Sequence, residues 1–192
     1  LKTGDGQAAQ GGAASDDIEE MANNYFHKIY TSDQSISDVI EMLKRFKASS
    51  NTREQDIFAC MIHNLFDEYR FFHKYPEKEL RITGILFGML IQHQLVSSIT
   101  LGIALRYVLE ALRKPQWQNG KMFRFGMFAL NEFKSRLTEW PQYCSHIVQI
   151  EYLSTNHKEL VDEIKRAMQS SRGSGNGEDS SGGIDGVRVP SL

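Results

Sequence analysis

From Asp16 to Ser170 the apolar residues return every three or four positions, and alternation at period two never persists. That spacing lays them along one face of a helix, so the body of the chain is confined to an all-α fold. Ile18, Met21, Tyr25 and Ile29 form one stripe, and Ile36, Val39, Ile40, Leu43 and Phe46 form a second. Continuing in this way predicts eight helices, near 16–30, 35–48, 52–72, 76–93, 97–113, 120–139, 141–151 and 157–169. Asp16 with Glu19, Ser35 with Asp38, Asn51 with Glu54 and Asn156 with Glu159 have capping-box spacing or its aspartate variant. Pro76 and Pro141 stand where a first-turn proline lacks only an N–H that would have had no partner, so both open new helices.

Taken in pairs, the helices begin near 16, 51, 97 and 141, steps of 35, 46 and 44 residues that bracket the period of HEAT or armadillo solenoids. The segment 80–91 is apolar on nearly every side, as a helix packed between neighbouring layers requires. Gly84 and Gly88 within it are read as points of close helix packing. Ile82 to Leu105 carries no Asp, Glu, Lys or Arg, a run long enough to span a bilayer. At its centre stand Gln92, His93 and Gln94, then Ser97, Ser98 and Thr100, which suit a turn between helices and oppose a membrane span.

The ends differ from this body. Every Phe, Tyr and Trp lies between 16 and 170, while ten of the 15 glycines fall within 1–15 and 171–192. Too little apolar surface is available there to offset the entropy of ordering, so both stretches are expected to be disordered tails around one folded domain of 16–170. Net charge is −2, so the positive field that nonspecific nucleic-acid binding uses is missing. The chain begins with Leu1, and no basic segment precedes an apolar run. It therefore reads as a piece of a longer chain in a reducing compartment, with Cys60 and Cys144 in no framework.

No catalytic constellation assembles. The six histidines offer neither H-x-x-x-H nor H-E-x-x-H, and there is no P-loop or G-x-S-x-G. Cys144 and His146 diverge by about 200° on a helix, which opposes a dyad. No cofactor and no metal are expected. The informative feature is an aromatic excess over 58–75. A helical wheel puts Phe58, Ile62, Leu65, Tyr69 and Phe72 on the core stripe, with Phe71 pointing away on the face of Asn64, Asp67 and Glu68. Tyr75 has the amphipathic build common at binding hot spots. Tyr107 and Glu110 lie off their helix's stripe, and Phe123 lies at the edge of its own.

Asn64-Leu-Phe-Asp-Glu-Tyr-Arg-Phe-Phe72, Tyr75-Pro76-x-Lys78-Glu79-Leu80, the segment Ala104 to Pro115, and Tyr143-Cys144 after Pro141 together carry a resemblance. Over about 16–170 the chain is similar to the large scaffold subunit of the Ccr-Not deadenylase complex, in its middle HEAT-repeat segment, the tristetraprolin-binding domain. Gln116 to Gly120, with Trp117, departs from that pattern, which implies an altered pocket beside this loop.

The resemblance implies a HEAT/MIF4G-like solenoid and a noncatalytic cytoplasmic adaptor. Such an adaptor captures short helical motifs of tristetraprolin-type RNA-binding proteins, and the rest of the scaffold contacts other Ccr-Not subunits. No direct nucleic-acid or membrane contact is expected. The candidate groove for a partner helix consists of Phe71 and Tyr75, with Asn64 on the same predicted helix and Phe123 from the sixth; Tyr107 and Glu110 are second-rank candidates. Two alternatives stay open at this point: an architectural spacer, and a helical RNA-binding solenoid using Lys44, Arg45 and Lys47.

Overall fold

The structure is a computed structural model, which describes the backbone of residues 2–174 and the side chains of 16–170. Expectations for 175–192 lie outside the described residues. No strand occurs among those described. The helices are α1 (Lys2–Tyr30), α2 (Ile36–Ala48), α3 (Thr52–Asp67), α4 (Glu77–Gln92), α5 (Ser98–Leu112), α6 (Lys121–Phe133), α7 (Pro141–Val148), α8 (Glu151–Asn156) and α9 (Lys158–Ser174). Tight 3-10 turns cover Glu68–Lys74, Trp117–Gly120 and Lys134–Glu139. The all-α helical fold read from periodicity is the fold found. The chain divides into two compact units after Arg70.

In the first unit, α2 starts where its cap puts it: Ser35 Oγ accepts the Asp38 N–H at 3.0 Å. Asn51 Oδ1 does the same for α3, accepting from Arg53 at 2.8 Å and Glu54 at 3.3 Å. Each such cap contributes about 1 kcal/mol. Val39, Ile40, Met42, Leu43 and Phe46 of α2 are buried, together with Ile57, Met61 and Leu65 of α3. Phe58 and Ile62, assigned to the core stripe by the wheel, are only half-buried. The true stripe of α3 is thus rotated by about one residue. Upstream, α1 is already helical from Lys2, ahead of the start read at Asp16. Four alanines, the strongest helix formers, accompany the glycines of that segment.

In the second unit α4 is the central element. Leu80, Ile82, Thr83, Gly84, Leu86, Phe87, Gly88, Leu90 and Ile91 are buried, as its apolar surround requires. Its main partner is α6, and two glycines permit the close approach. A methyl at Gly88 would overlap the Ala129 carbonyl oxygen and lie 2.8 Å from Ala129 Cα; one at Gly84 would lie 2.8 Å from Phe128 Cβ. The chain then turns through exposed His93 and left-handed Gln94 (φ 56°), so the uncharged run is two helices. No described helix is long and apolar enough to cross a membrane.

Ser97 caps α5, its Oγ accepting the Thr100 N–H at 3.2 Å. Pro141 opens α7, and Tyr143 Oη donates to the Leu105 carbonyl at 2.7 Å, tying α7 to α5. The predicted helix 141–151 is divided into α7 and the short α8. The Asn156 cap is not made: Asn156 ends α8, its amide donates back to the Tyr152 carbonyl at 3.1 Å, and α9 begins one residue past His157.

Candidate peptide-docking surface

The surface is built on a buried cluster of rings in the second unit. Phe72 is fully buried, its ring centroid 5.1 Å from Phe125 and 6.4 Å from Phe87, and Phe87 and Phe125 lie 5.3 Å apart. Two half-buried tyrosines border this cluster. Tyr75 meets Phe72 at a tilt, ring centroids 5.2 Å apart, and Tyr107 lies 6.5 Å from Phe87. Phe71, adjacent to Phe72 in the chain, is half-buried, with Lys74 Nζ 5.8 Å from its ring. Glu110 is one turn along α5 from Arg106, to which it is paired at 3.9 Å, and the Arg106 guanidinium lies 5.9 Å from the Tyr107 ring.

The 3-10 geometry explains how Phe71 and Phe72 diverge. At about 120° per residue, rather than 100°, consecutive side chains separate more widely, and Phe72 enters the core while Phe71 stays at the surface. Segment 75–77 is then clamped to α6. Lys121 Nζ donates to the Tyr75 carbonyl. Arg124 donates to both Glu77 oxygens at 2.6 and 3.0 Å and, through Nη1, to the Asn119 carbonyl at 2.8 Å. The Arg124 guanidinium holds the Glu77 carboxyl below its ordinary range, and Glu77 raises the guanidinium in turn.

Phe123 turns into the core, and Asn64 lies in the other unit. Phe123 is 7% exposed and packs edge-on against Tyr152 at 5.1 Å and beside His157 at 5.7 Å. Two positions apart on α6, Phe125 and Phe123 point about 200° from each other, so the helix that gives Phe125 to the ring cluster turns Phe123 toward α8. Phe123 is a core residue, which corrects its placement in the groove. Asn64 belongs to the first unit, where its amide donates to Glu19 Oε2 at 3.0 Å.

Two exposed apolar side chains were not chosen from the sequence. Ile99 is 78% exposed and Trp117 43%. Ile99 lies opposite the buried stripe of α5, a signal the helical wheel already contained. Trp117 sits in a polar loop, where no wheel applies; its indole is 5.1 Å from the His73 ring and 5.1 Å from Lys114 Nζ.

Acid–base or nucleophilic chemistry finds little to work with. Burial pushes the Cys144 thiol up to about 12, and its S–H donates to the Leu137 carbonyl at 3.3 Å, so it is held as a thiol. Burial first and then Glu19 raise Cys60 as well. No cluster of three or more His, Cys, Asp or Glu among the described residues could hold a metal ion.

An all-helical arrangement of stacked helices with aromatic rings at its edges among the described residues is the build of a helical-repeat module. Comparison with known proteins specifies which family. The chain belongs to the family described as the CCR4-NOT transcription complex subunit 1 TTP binding domain, whose model matches residues 4–175. It is 44% identical over 156 residues to General negative regulator of transcription subunit 1 of Schizosaccharomyces pombe, covering 81% of this chain and 7% of that protein. With CCR4-NOT transcription complex subunit let-711 of Caenorhabditis elegans it shares 41% identity over 151 residues, 78% of this chain and 6% of that one. The chain thus spans only a small fraction of these relatives. Among solved structures it is similar to the N-terminal domain of the yeast Not1, with a TM-score of 0.74 and 34% identity over 79% of this chain and 28% of that one.

Proposed function

We propose that this domain is a noncatalytic docking module of a cytoplasmic Ccr-Not scaffold. It captures short amphipathic helices of tristetraprolin-type RNA-binding proteins and so brings the deadenylase to their mRNAs, promoting decay and translational repression. The observation that carries this reading is the family match over nearly the whole chain, to a domain described as TTP-binding. The geometry supports it: Phe71, Tyr75 and Tyr107 are half-buried rings at or beside a rigid aromatic cluster, the kind of edge on which an amphipathic helix sets apolar anchors. Burying one such anchor contributes about 2–3 kcal/mol, and ordering the peptide offsets several kcal/mol, so micromolar affinity is expected. Catalysis and RNA contact belong to other subunits and partners.

A binding isotherm with the motif peptide of a tristetraprolin-type protein tests this. Phe71→Ala with Tyr75→Ala should weaken binding about tenfold or more while the helical circular dichroism is kept. Unchanged affinity in a folded double variant would place the groove elsewhere and favour the spacer reading.

A further inference from the structure

Between Ala111 and Asn131 the chain carries Arg113, Lys114, Lys121 and Arg124 and no Asp or Glu, although its net charge is −2. Two of these cations are engaged locally, Arg124 by Glu77 and Lys121 by the Tyr75 carbonyl. Arg113 and Lys114 are exposed and hold no ion pair among the described residues. Together with Pro115, Gln116 and Trp117 they line an open recess of about 520 Å³.

The backbone beyond it is unusual. Gln118 (φ 51°), Asn119 (φ 57°) and Gly120 (φ 77°) are three successive left-handed residues. Each non-glycine residue in that region costs about 1 kcal/mol or more, and the turn persists because Arg124 braces the Asn119 carbonyl. Its effect is to hold Trp117 at the surface, supported on one side by His73 instead of folded into the core.

We propose that Arg113, Lys114 and Trp117, backed by His73, form a docking site for an acidic peptide segment that presents an apolar side chain beside its carboxylates. The carboxylates meet the two cations, neither of which holds an ion pair among the described residues, and the apolar side chain covers the part of the indole that Lys114 and His73 leave open. The occupant follows from charge complementarity: the nearby acids are already engaged, Glu110 by Arg106 and Glu77 by Arg124, which leaves Arg113 and Lys114 as a cationic edge on a chain that is otherwise slightly acidic. Single-stranded RNA would need successive open rings along a longer basic groove, whereas one exposed indole and two adjacent cations suit a short peptide. The site does not rest on the Phe71–Tyr75 groove.

The test uses the full chain and a labelled nine-residue probe peptide of Asp and Glu around a central Leu-Phe, with anisotropy and tryptophan fluorescence as readouts. Binding should fall at least tenfold with Trp117→Ala, with Arg113→Glu plus Lys114→Glu, and with a probe whose acids are replaced by Asn and Gln. It should weaken as salt rises, and Phe71→Ala with Tyr75→Ala should leave it unchanged. No binding, equal binding of the uncharged probe, or indifference to these substitutions at unchanged melting temperature would overturn the proposal. Tighter binding of oligouridine than of the probe would assign the recess to RNA and overturn it equally.

Discussion

Phe123 and Tyr75 show how aromatic rings serve two ends within the second unit. Both rings contact other rings, yet Phe123 is 7% exposed between Tyr152 and His157, whereas Tyr75 is half-buried over Phe72. Truncating a ring that is enclosed on all sides removes its transfer energy and leaves a cavity. Phe123→Ala should therefore cost about 3–5 kcal/mol of stability, read by chemical denaturation. Tyr75→Ala removes less buried area and leaves its remaining space open to solvent, so its cost to stability should be clearly smaller. Comparable losses for the two would contradict their assignment to core and surface.

The α4–α6 pair shows the same division between helix faces. Gly88 lies against the Ala129 backbone, which cannot yield as a flexible side chain can, while Gly102 on α5 has nothing within 4 Å of where a methyl would go. Gly88→Ala should thus lower stability by about 3 kcal/mol through overpacking. Gly102→Ala should raise it by about 0.5–1 kcal/mol by lowering the helix's entropic penalty. A melting series on both variants checks the opposite signs. Much at this scale was legible in the sequence. Ser35, Asn51, Pro76 and Pro141 mark their helix starts because caps and first-turn prolines act locally; the wheel that set Phe71 apart from Phe72 assumed an α-helix that the chain does not keep there, both standing in a 3-10 turn. What local pattern could not decide was settled by small energies or distant partners. The 3-10 tightening at Glu68–Lys74 differs from a further α turn by a fraction of a hydrogen bond. Asn156 competes with His157 for one helix start, and Phe123 is claimed by Tyr152 and His157, roughly thirty residues along the chain. Trp117 escaped because periodicity says nothing about a loop.

At the scale of the molecule, every ring of the aromatic cluster, and every residue of the cationic recess, belongs to the second unit. Phe72 contacts Tyr75, Phe87 and Phe125, Phe87 contacts Phe125 and Tyr107, and Trp117 is held by His73 and Lys114. The fully buried Leu105, Leu112, Phe133 and Ile147 extend that core through α5, α6 and α7. A body of about 100 residues can bury enough apolar surface to fold without disulfides. A shortened chain of residues 71–174 should consequently unfold in one cooperative thermal transition and bind the acidic probe with the affinity of the full chain. It also lacks Cys60, which leaves Cys144 as its one thiol, and burial should keep that thiol slow toward a thiol reagent until the core unfolds. Coincidence of the labelling and melting transitions would mark the second unit as carrying its own core and recess. Rapid labelling of Cys144 in the cold would instead mean that the first unit is needed to complete that core.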